Sequence, residues 1–257
     1  SRTVDGVYRE RPSRWLGATV WTRRAEPSTR AYRVVPDGCL DLIWSDGRLL
    51  VAGPDTGPHL GVSPPGASFT GLRFAPGTGP AVLGIPAHEL TDQRIPLSDL
   101  WPESHVAELT EQVAAARSPG RLLEAMAAAR LGRAEPPDPV VYAITEALRD
   151  GHTVAATADQ VGFSERQLHR RCRTAFGYGP KTLARVLRMD GALSLARSGL
   201  PLADVGVASG YADQAHLARD VKALTGVTLR TLLGYSSADG RAANRSTPFP
   251  SGSRTTA

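Results

Sequence analysis

Four basic side chains recur at helical spacing in the segment that follows Gly162. They fall at i, i+3, i+4 and i+7, so a helix would carry all of them on one face. These residues are Arg166, His169, Arg170 and Arg173. A helix fits the major groove of DNA, where an arginine can bond both acceptors on the edge of a guanine. This face therefore indicates recognition of bases rather than catalysis.

The same arrangement occurs a second time further along the chain. Gly162 and Gly210 are each followed by an aromatic residue and then by a longer helical segment. Gly177 and Gly226 close these two segments. The outer face of the second segment carries Gln214, Ala215, Ala218, Arg219 and Lys222. Each copy predicts a helix-turn-helix motif. The alternative is a pair of ordinary solvated helix faces, which the repetition of the same turn and closing glycine disfavours.

A long helix is expected between the two motifs, over residues 180–197. Its apolar side carries Leu183, Val186, Leu187 and Leu193. Such a helix would hold the motifs at a fixed separation. Motifs about one turn of DNA apart can enter successive major grooves on one side of the duplex. Thr153, Ser164 and Asp213 have the side chains expected at the N-caps of neighbouring helices.

The N-terminal residues differ from the helical segments in composition and in hydrophobic pattern. Glycine and proline are frequent, and short apolar runs alternate with turn-forming residues. The runs that predict strands are residues 16–21, 39–44, 49–52, 69–74 and 81–85. Short strands at this spacing predict a small barrel or sandwich. Helical patterns follow at residues 104–116 and 120–131, where they form either a dimer interface or packing against the barrel.

These sequence patterns predict an α+β protein of two domains. The first is a small β-barrel with helices after it, and the second is an all-α domain. We expect a β-rich sensory or dimerisation domain with a helical tail at residues 1–132. A proline-rich linker at residues 133–139 and a DNA-binding domain at residues 140–235 follow. Residues 236–257 have almost no apolar content and predict a disordered tail.

The N-terminal domain contains a few polar and aromatic groups that an effector pocket could use. Trp44, Arg73 and Glu89 are the residues we expect first beside such a pocket. Core packing is the alternative for the aromatic side chains of the strands, which are Trp21, Trp44 and Phe74.

Asp37, Cys39 and Asp41 alternate along the chain, so a strand would place them on one face. We expect Asp37 in a turn, Cys39 in the core and Asp41 in a hydrogen bond, without a metal or any other cofactor. The alternative is an enzyme that depends on a metal or on Cys39, fused to a DNA-binding regulator. The preferred hypothesis is a regulator that is not an enzyme.

Composition limits the class of protein. The chain has 257 residues, a formal net charge of +5 and a pI of about 9.6, which permit a polyanionic partner without requiring one. Cys39 and Cys172 form neither a disulfide framework nor a zinc pair. No apolar run has the length of a membrane helix, and the first residues show no signal-peptide pattern. We expect a cytoplasmic protein without a membrane partner.

The helical domain resembles the DNA-binding domain of the AraC/XylS family of bacterial transcription regulators, over about residues 140–233. The resemblance rests on Gly162-Phe-Ser164, Ala175-Phe-Gly177, Gly179-Pro180, Leu202-Ala-Asp-Val205, Gly210-Tyr-Ala-Asp-Gln214 and Leu224-Thr-Gly226. It implies a fold of seven helices. The base-contacting positions that it implies are Arg166, His169 and Arg170 in the first motif, and Gln214, Ala215, Ala218 and Arg219 in the second.

The residues expected to contact phosphates are Ser164, Arg173, Lys181, Arg185 and Lys222. The chain departs from the family pattern at Leu229, where proline is usual, and at Cys172 and Val221, where an aromatic residue is usual. Ala215 and Ala218 offer only methyl contacts to bases. We therefore expect the first motif to supply most of the direct base reading and the second to contribute more to positioning.

The N-terminal region resembles the domain that precedes this unit in some actinobacterial-type regulators, at residues 32–44, 71–77 and 84–92. In the broader family such domains are often cupin-like barrels that bind a small effector or dimerise. The resemblance implies four partners for this chain: promoter DNA, a small-molecule effector, a second copy of the chain and RNA polymerase.

Overall fold

The computed structural model describes residues 8–14, 17–25, 30–133 and 136–234. The expected tail at residues 236–257, two residues of the expected linker and Leu16 of the first expected strand lie outside these ranges. The described residues form a β-rich first half and a helical second half. The expected α+β fold class is confirmed.

The first half contains two antiparallel sheets. The strands are β1 (Tyr8–Pro12), β2 (Thr19–Arg24), β3 (Arg30–Val34), β4 (Leu40–Ser45), β5 (Arg48–Ala52), β6 (His59–Ser63), β7 (Ser68–Phe74) and β8 (Arg94–Pro96). The larger sheet has the order β1-β2-β7-β4-β5-β8, and β3 pairs with β6 alone. Because each strand alternates its side chains, the larger sheet has one face toward three helices and the other toward the β3–β6 pair.

The three helices on the first face complete the N-terminal core. They are α1 (Gly79–Leu83), α2 (Glu103–Ala115) and α3 (Pro119–Leu131). The apolar side chains of α2 and α3 join this core through Val106, Leu109, Val113, Leu123 and Met126. Packing within the chain therefore accounts for the apolar faces that could otherwise have indicated a dimer interface.

The prediction of a strand at residues 81–85 is wrong, because this run lies mostly in α1. Pro80 occupies the first turn, where its missing N–H costs nothing, and Gly84 ends the helix with a φ of 80°. Val82 and Leu83 are buried. An apolar run of this length fits a buried helix turn as well as a strand, so periodicity could not separate the two.

The second half consists of seven helices, as the family resemblance implied, within residues 136–234. They are α4 (Pro139–Arg149), α5 (Val154–Gln160), α6 (Glu165–Phe176), α7 (Pro180–Arg197), α8 (Leu202–Ala208), α9 (Gln214–Thr225) and α10 (Leu229–Leu232). They share one apolar core, in which α7 lies between the two motifs. The predicted bounds of α7 are confirmed. In the part of the chain that the structure describes, no helix has both the length and the apolar character needed to cross a membrane.

The two interhelix turns have the predicted backbone geometry. Gly162 and Gly210 have φ values of 71° and 73°, a region in which a Cβ would be strained. Each glycine is followed by an aromatic residue that packs on the core. Thr153 and Asp213 accept backbone N–H groups as N-caps of α5 and α9. These local signals fix the angle at which α6 and α9 leave their partner helices.

Candidate functional site

One face of α6 is buried and the opposite face is exposed and basic. Leu168 and Cys172 are buried at i and i+4. The exposed face carries Arg166, His169, Arg170 and Arg173. Within the described residues, the guanidinium groups of the three arginines of this face have no hydrogen bond or ion pair. They are therefore free to contact a ligand that approaches this face.

Arg171 lies on the same helix but has a different role. Its Nη2 lies 2.6 Å from Oδ2 of Asp138. Asp138 also caps α4, since its Oδ1 accepts the N–H of Val140 at 2.9 Å. Arg171 therefore connects α6 to the start of α4. It is a structural arginine, unlike the unpaired arginines of the exposed face.

Ser164 begins α6 through a reciprocal capping box. Its hydroxyl accepts the N–H of Gln167 at 3.3 Å, and Oε1 of Gln167 accepts the N–H of Ser164 at 2.8 Å. The predicted N-cap is confirmed, whereas the role of Gln167 was missed. A serine followed three residues later by glutamine is the sequence signal for this cap. The hydroxyl of Ser164 is engaged in this cap. Its expected contact with a DNA phosphate stays a prediction.

Helix α9 also exposes its expected face. It is the longer helix of the second motif, as α6 is of the first, and both are called recognition helices by that place in the motif. Gln214, Ala215, Ala218, Arg219 and Lys222 are all exposed. The opposite face is buried through Leu217, Val221 and Leu224. Two alanines at the centre leave this face flatter and less basic than that of α6. The structure thus places every expected base-contacting residue on one of two solvent-exposed helix faces.

Asp220 joins α9 to α7 and was missed by the sequence analysis. This side chain is 8% exposed and accepts Nε and Nη2 of Arg185 at 2.9 and 2.6 Å. Nη2 of Arg188 lies 3.5 Å from its other oxygen, and the Tyr211 hydroxyl donates to that oxygen at 3.3 Å. The Arg185 guanidinium is thus bound to a buried carboxylate although its own side chain is exposed, and its expected phosphate contact stays a prediction. Lys181 is exposed near the start of α7.

The N-terminal domain contacts the carboxyl ends of both recognition helices. Thr91 Oγ1 donates to the carbonyl of Gly177, the C-cap of α6, at 3.1 Å. Arg33 Nη1 donates to the carbonyl of Thr225, the last residue of α9, at 2.8 Å. A cationic donor at a helix C-terminus also interacts favourably with the helix dipole. One domain therefore holds both helices at the ends that receive their C-caps.

A cavity of about 140 Å³ lies between the larger sheet and the β3–β6 pair. Trp21 and Tyr32 form much of its apolar wall. Each ring lies against a glycine directly across a strand pair, Trp21 against Gly71 and Tyr32 against Gly61. A side chain at either glycine would collide with the ring. The two glycines therefore allow flat aromatic walls in a small space.

Arg73 is the buried cation of this cavity, at 2% exposure. Its Nε lies 3.4 Å from Asp37 Oδ2, and its Nη2 lies 3.3 Å from Asp41 Oδ1. Asp37 Oδ1 also accepts the N–H of Cys39 at 2.9 Å, and Asp41 Oδ1 accepts Trp21 Nε1 at 2.6 Å. Burial raises the pKa of Asp37 to about 7 despite the nearby guanidinium. The expected hydrogen bond at Asp41 is confirmed, and Asp37 lies in the loop between β3 and β4, where its side chain bonds the backbone two residues on.

The cavity includes one of the three residues expected beside an effector. Arg73 lines it, but Trp44 and Glu89 do not. Trp44 lies on the opposite face of β4 from Asp41 and Ile43, which line the cavity. It therefore packs on the core that faces the helices. Glu89 lies exposed on the short 3-10 turn Ala87–Glu89. Of the three strand aromatics for which core packing was the alternative, Trp21 reaches the cavity, whereas Trp44 and Phe74 pack in the core.

Cys39 is buried in a setting that disfavours a reactive thiolate. Burial and the neighbouring carboxylate of Asp37 raise its pKa well above the usual thiol value. No cluster of three or more metal-ligating side chains occurs among the residues that the structure describes. The hypothesis of an enzyme dependent on Cys39 or on a metal therefore gains no support from this site.

Comparison with known proteins gives two family matches and several similar solved structures. Residues 147–234 match the family described as "Helix-turn-helix domain", and residues 15–96 match "Domain of unknown function (DUF6597)". The 1.65 Å structure of ToxT from Vibrio cholerae has 10% sequence identity and a TM-score of 0.50, and the match covers 86% of this chain and 99% of that one. No curated protein matches the sequence.

Two further ToxT structures from Vibrio cholerae are similar to this chain. ToxT of strain O395 has 9% identity and a TM-score of 0.49 over 87% of this chain and 99% of that one. ToxT of strain SCE256 with an unsaturated fatty acid bound has 11% identity and a TM-score of 0.45 over 87% and 96%. The resemblance drawn from the sequence is confirmed. The chain thus has a helix-turn-helix domain of the AraC type at its C-terminus and a DUF6597 domain before it.

Proposed function

We propose that this protein is a transcription regulator that binds a specific DNA sequence through α6 and α9. The observation that carries the proposal is the row of free guanidinium groups on the exposed face of α6. Arginines without an internal partner keep their donors for guanine edges and phosphates. The neighbouring Arg171, which already has a carboxylate partner at 2.6 Å, shows that the free state is not general along the helix.

The two motifs contribute unequally in this proposal. Arg166, His169 and Arg170 read bases from α6, whereas Ala215 and Ala218 on α9 make methyl contacts or leave recognition to DNA shape. The remaining expected base contacts on α9 are Gln214 and Arg219. Operator positions under α6 are therefore the more strictly specified ones. The Asp220 cluster keeps α9 in register with α7 and so sets where the second motif meets the duplex.

The test is selection of duplexes from a random library with the purified full chain, at fixed salt, followed by affinity measurement. Arg166→Ala should lose about 1–3 kcal/mol of binding free energy on the selected sequence and relax the preference at one position. Arg171→Ala is the matched control. It removes an arginine from the same helix, but one whose guanidinium is already paired with Asp138. Equal discrimination by the wild type and Arg166→Ala would remove the base-reading role of this residue.

Control by a small effector is the second part of the proposal. The support is the cavity together with the hydrogen bonds that connect its domain to α6 and α9. An effector acts only if it binds one arrangement of the two domains better than another. Association of two copies and contact with RNA polymerase complete the proposed mode of action. Sedimentation of the free chain and of its DNA complex tests the first of these.

A further inference from the structure

The carboxylates that line the cavity already accept hydrogen bonds from the protein. Asp41 accepts Trp21 Nε1 and faces Arg73. Asp55 receives both terminal nitrogens of Arg94, at 2.7 and 2.6 Å. A ligand therefore finds little free capacity among the carboxylates.

The donors of the same cavity are not all occupied. Nη1 of Arg73 is buried and has no hydrogen-bond partner among the described residues. Nε of the same group has no well-directed hydrogen bond and only the 3.4 Å ion pair with Asp37. A buried guanidinium donor without an acceptor costs free energy. A ligand that brings an acceptor to this end of the cavity would remove that cost.

Arg23 supplies a second positive charge at the other end. The β2–β7 register pairs Thr19 with Arg73 and Arg23 with Phe69, so the Trp21 ring lies between the two arginines along the strand. The Arg23 guanidinium lies 4.3 Å from the centre of the Tyr32 ring and 5.2 Å from that of Phe69. In the described part of the chain it has no carboxylate within ion-pair distance. Burial lowers the pKa of Arg23.

The shape of the cavity limits the body of a ligand. Its volume of about 140 Å³ is well below the roughly 300 Å³ at which sites for drug-sized molecules begin. The walls are the flat rings of Trp21 and Tyr32. Three aspartates and three arginines line the space, so a ligand with two negative charges would meet Asp41 or Asp55 unfavourably. The geometry selects a small, flat molecule with one anionic group.

We propose that this cavity binds a small organic monocarboxylate with a flat apolar body, whose carboxylate accepts hydrogen bonds from Nη1 of Arg73. A carboxylate matches the planar fork of a guanidinium and forms charge-assisted hydrogen bonds with it. The apolar body lies along the Trp21 ring toward Arg23, whose charge adds to the attraction. This inference rests on the proposed effector control, because it names the class of effector.

The experiment is calorimetric titration of the purified full chain with four monocarboxylates and their neutral amides. The pairs are benzoate and benzamide, 2-hydroxybenzoate and its amide, nicotinate and nicotinamide, and crotonate and crotonamide. At least one acid should bind about tenfold more tightly than its amide. Phthalate, a dicarboxylate on the same ring, should bind more weakly than benzoate. An amide that matches its acid in every pair, or no binding by any acid below about 1 mM, overturns the proposal.

Variants identify the binding residues. Arg73→Lys keeps the charge that Asp37 and Asp41 require but loses the fork, and it should weaken binding of the acid and not of the amide. If that variant fails to fold by circular dichroism, Arg23→Gln tests the same cavity, since none of the carboxylates that the structure describes forms an ion pair with Arg23. Arg23→Gln should lower affinity for the acid several-fold. Arg24→Gln, exposed on the other side of β2, is the control and should bind as the wild type does. Unchanged binding by Arg23→Gln and by a folded Arg73→Lys overturns the site.

DNA binding is measured on the same preparations without ligand. A chain that selects a DNA sequence but binds no carboxylate refutes this inference and leaves the proposed DNA-binding function standing. A chain that binds a carboxylate but selects no sequence refutes the DNA-binding function and leaves the cavity assignment standing.

Discussion

Arg33 on β3 donates a hydrogen bond from Nη1 to the carbonyl oxygen of Thr225 at 2.8 Å. Its neighbours on the same strand, Tyr32 and Val34, line the cavity on the other face. One strand therefore has the cavity on one side and the end of the second recognition helix on the other. A ligand that moves β3 would act directly on the position of α9.

We predict that Arg33→Ala loosens the end of α9 without disturbing α6. Loss of one hydrogen bond to a helix C-terminus should cost about 1 kcal/mol, roughly fivefold in the local opening equilibrium. Hydrogen–deuterium exchange of the backbone amides in the last turn of α9 and in α10 measures this change. Arg48→Ala, exposed at the start of β5, is the matched control. Equal protection of α9 in the wild type and Arg33→Ala would show that the contact has no mechanical role.

We predict that Asp220→Asn lowers the free energy of unfolding by about 1–3 kcal/mol. Asp220 is buried, but the side chains of Arg185 and Arg188 are 44% and 31% exposed, so water can partly compensate them. The loss should therefore stay below the 3–5 kcal/mol that is usual for one partner of a fully buried pair. Urea unfolding measures the difference. Asp204→Asn, exposed on α8, is the control, and equal stability of the two variants would contradict the structural role of Asp220.

We predict that Lys181→Ala weakens DNA binding alike on all sequences. A phosphate contact carries no base information, so the affinities for selected and unrelated duplexes should fall by the same factor. The slope of the logarithm of affinity against the logarithm of salt concentration should decrease by about 1. Titrations at several salt concentrations measure both quantities. Arg121→Ala removes the same charge from an exposed site on α3, and a similar slope change in that variant would point to net charge rather than contact.

Local chemistry in the helical domain could be predicted from the sequence. Thr153 and Asp213 cap α5 and α9, and Gly162 and Gly210 take the positive φ expected of them. These features depend on residues within a turn or two of one another. The capping glutamine, Gln167, was available by the same reasoning and was overlooked. The roles of the exposed faces of α6 and α9 stay predictions, since exposure permits DNA contact without establishing it.

Contacts between distant parts of the chain could not be predicted. Arg33 and Thr225 are 192 positions apart, and no periodicity connects them. The Asp220 cluster likewise depends on the crossing of α7 and α9. Trp44 was assigned to the pocket by its residue type, although the alternation along β4 places it in the core once the direction of the sheet is known. Four strands, β1, β3, β6 and β8, were missed because they are short or polar.

The protonation of Asp37 gives a prediction about pH and stability. Burial raises its pKa to about 7, above the ordinary carboxyl value of 3.8. The charged or titratable groups that face it are Arg73 from β7, Asp41 from β4, Cys39, Tyr178 from the α6–α7 turn and Asp190 from α7. Between the ordinary carboxyl pKa of 3.8 and the folded-state pKa of about 7, the folded state binds more protons at Asp37 than the unfolded state does. The stability from this group is thus fully present below the unfolded pKa and is lost as pH rises to the folded one.

We therefore predict that Asp37→Asn reduces the pH dependence of folding. Asparagine keeps the oxygen that accepts the Cys39 N–H at 2.9 Å but has no proton to exchange. Between about pH 5 and about pH 8, the wild type should lose more free energy of unfolding than the variant does. Urea unfolding at both pH values measures the two losses, and Asp159→Asn, exposed on α5, should behave as the wild type. Parallel curves for the wild type and Asp37→Asn would mean that Asp37 titrates alike in the folded and unfolded states, so that another acceptor or water compensates its burial beside Arg73.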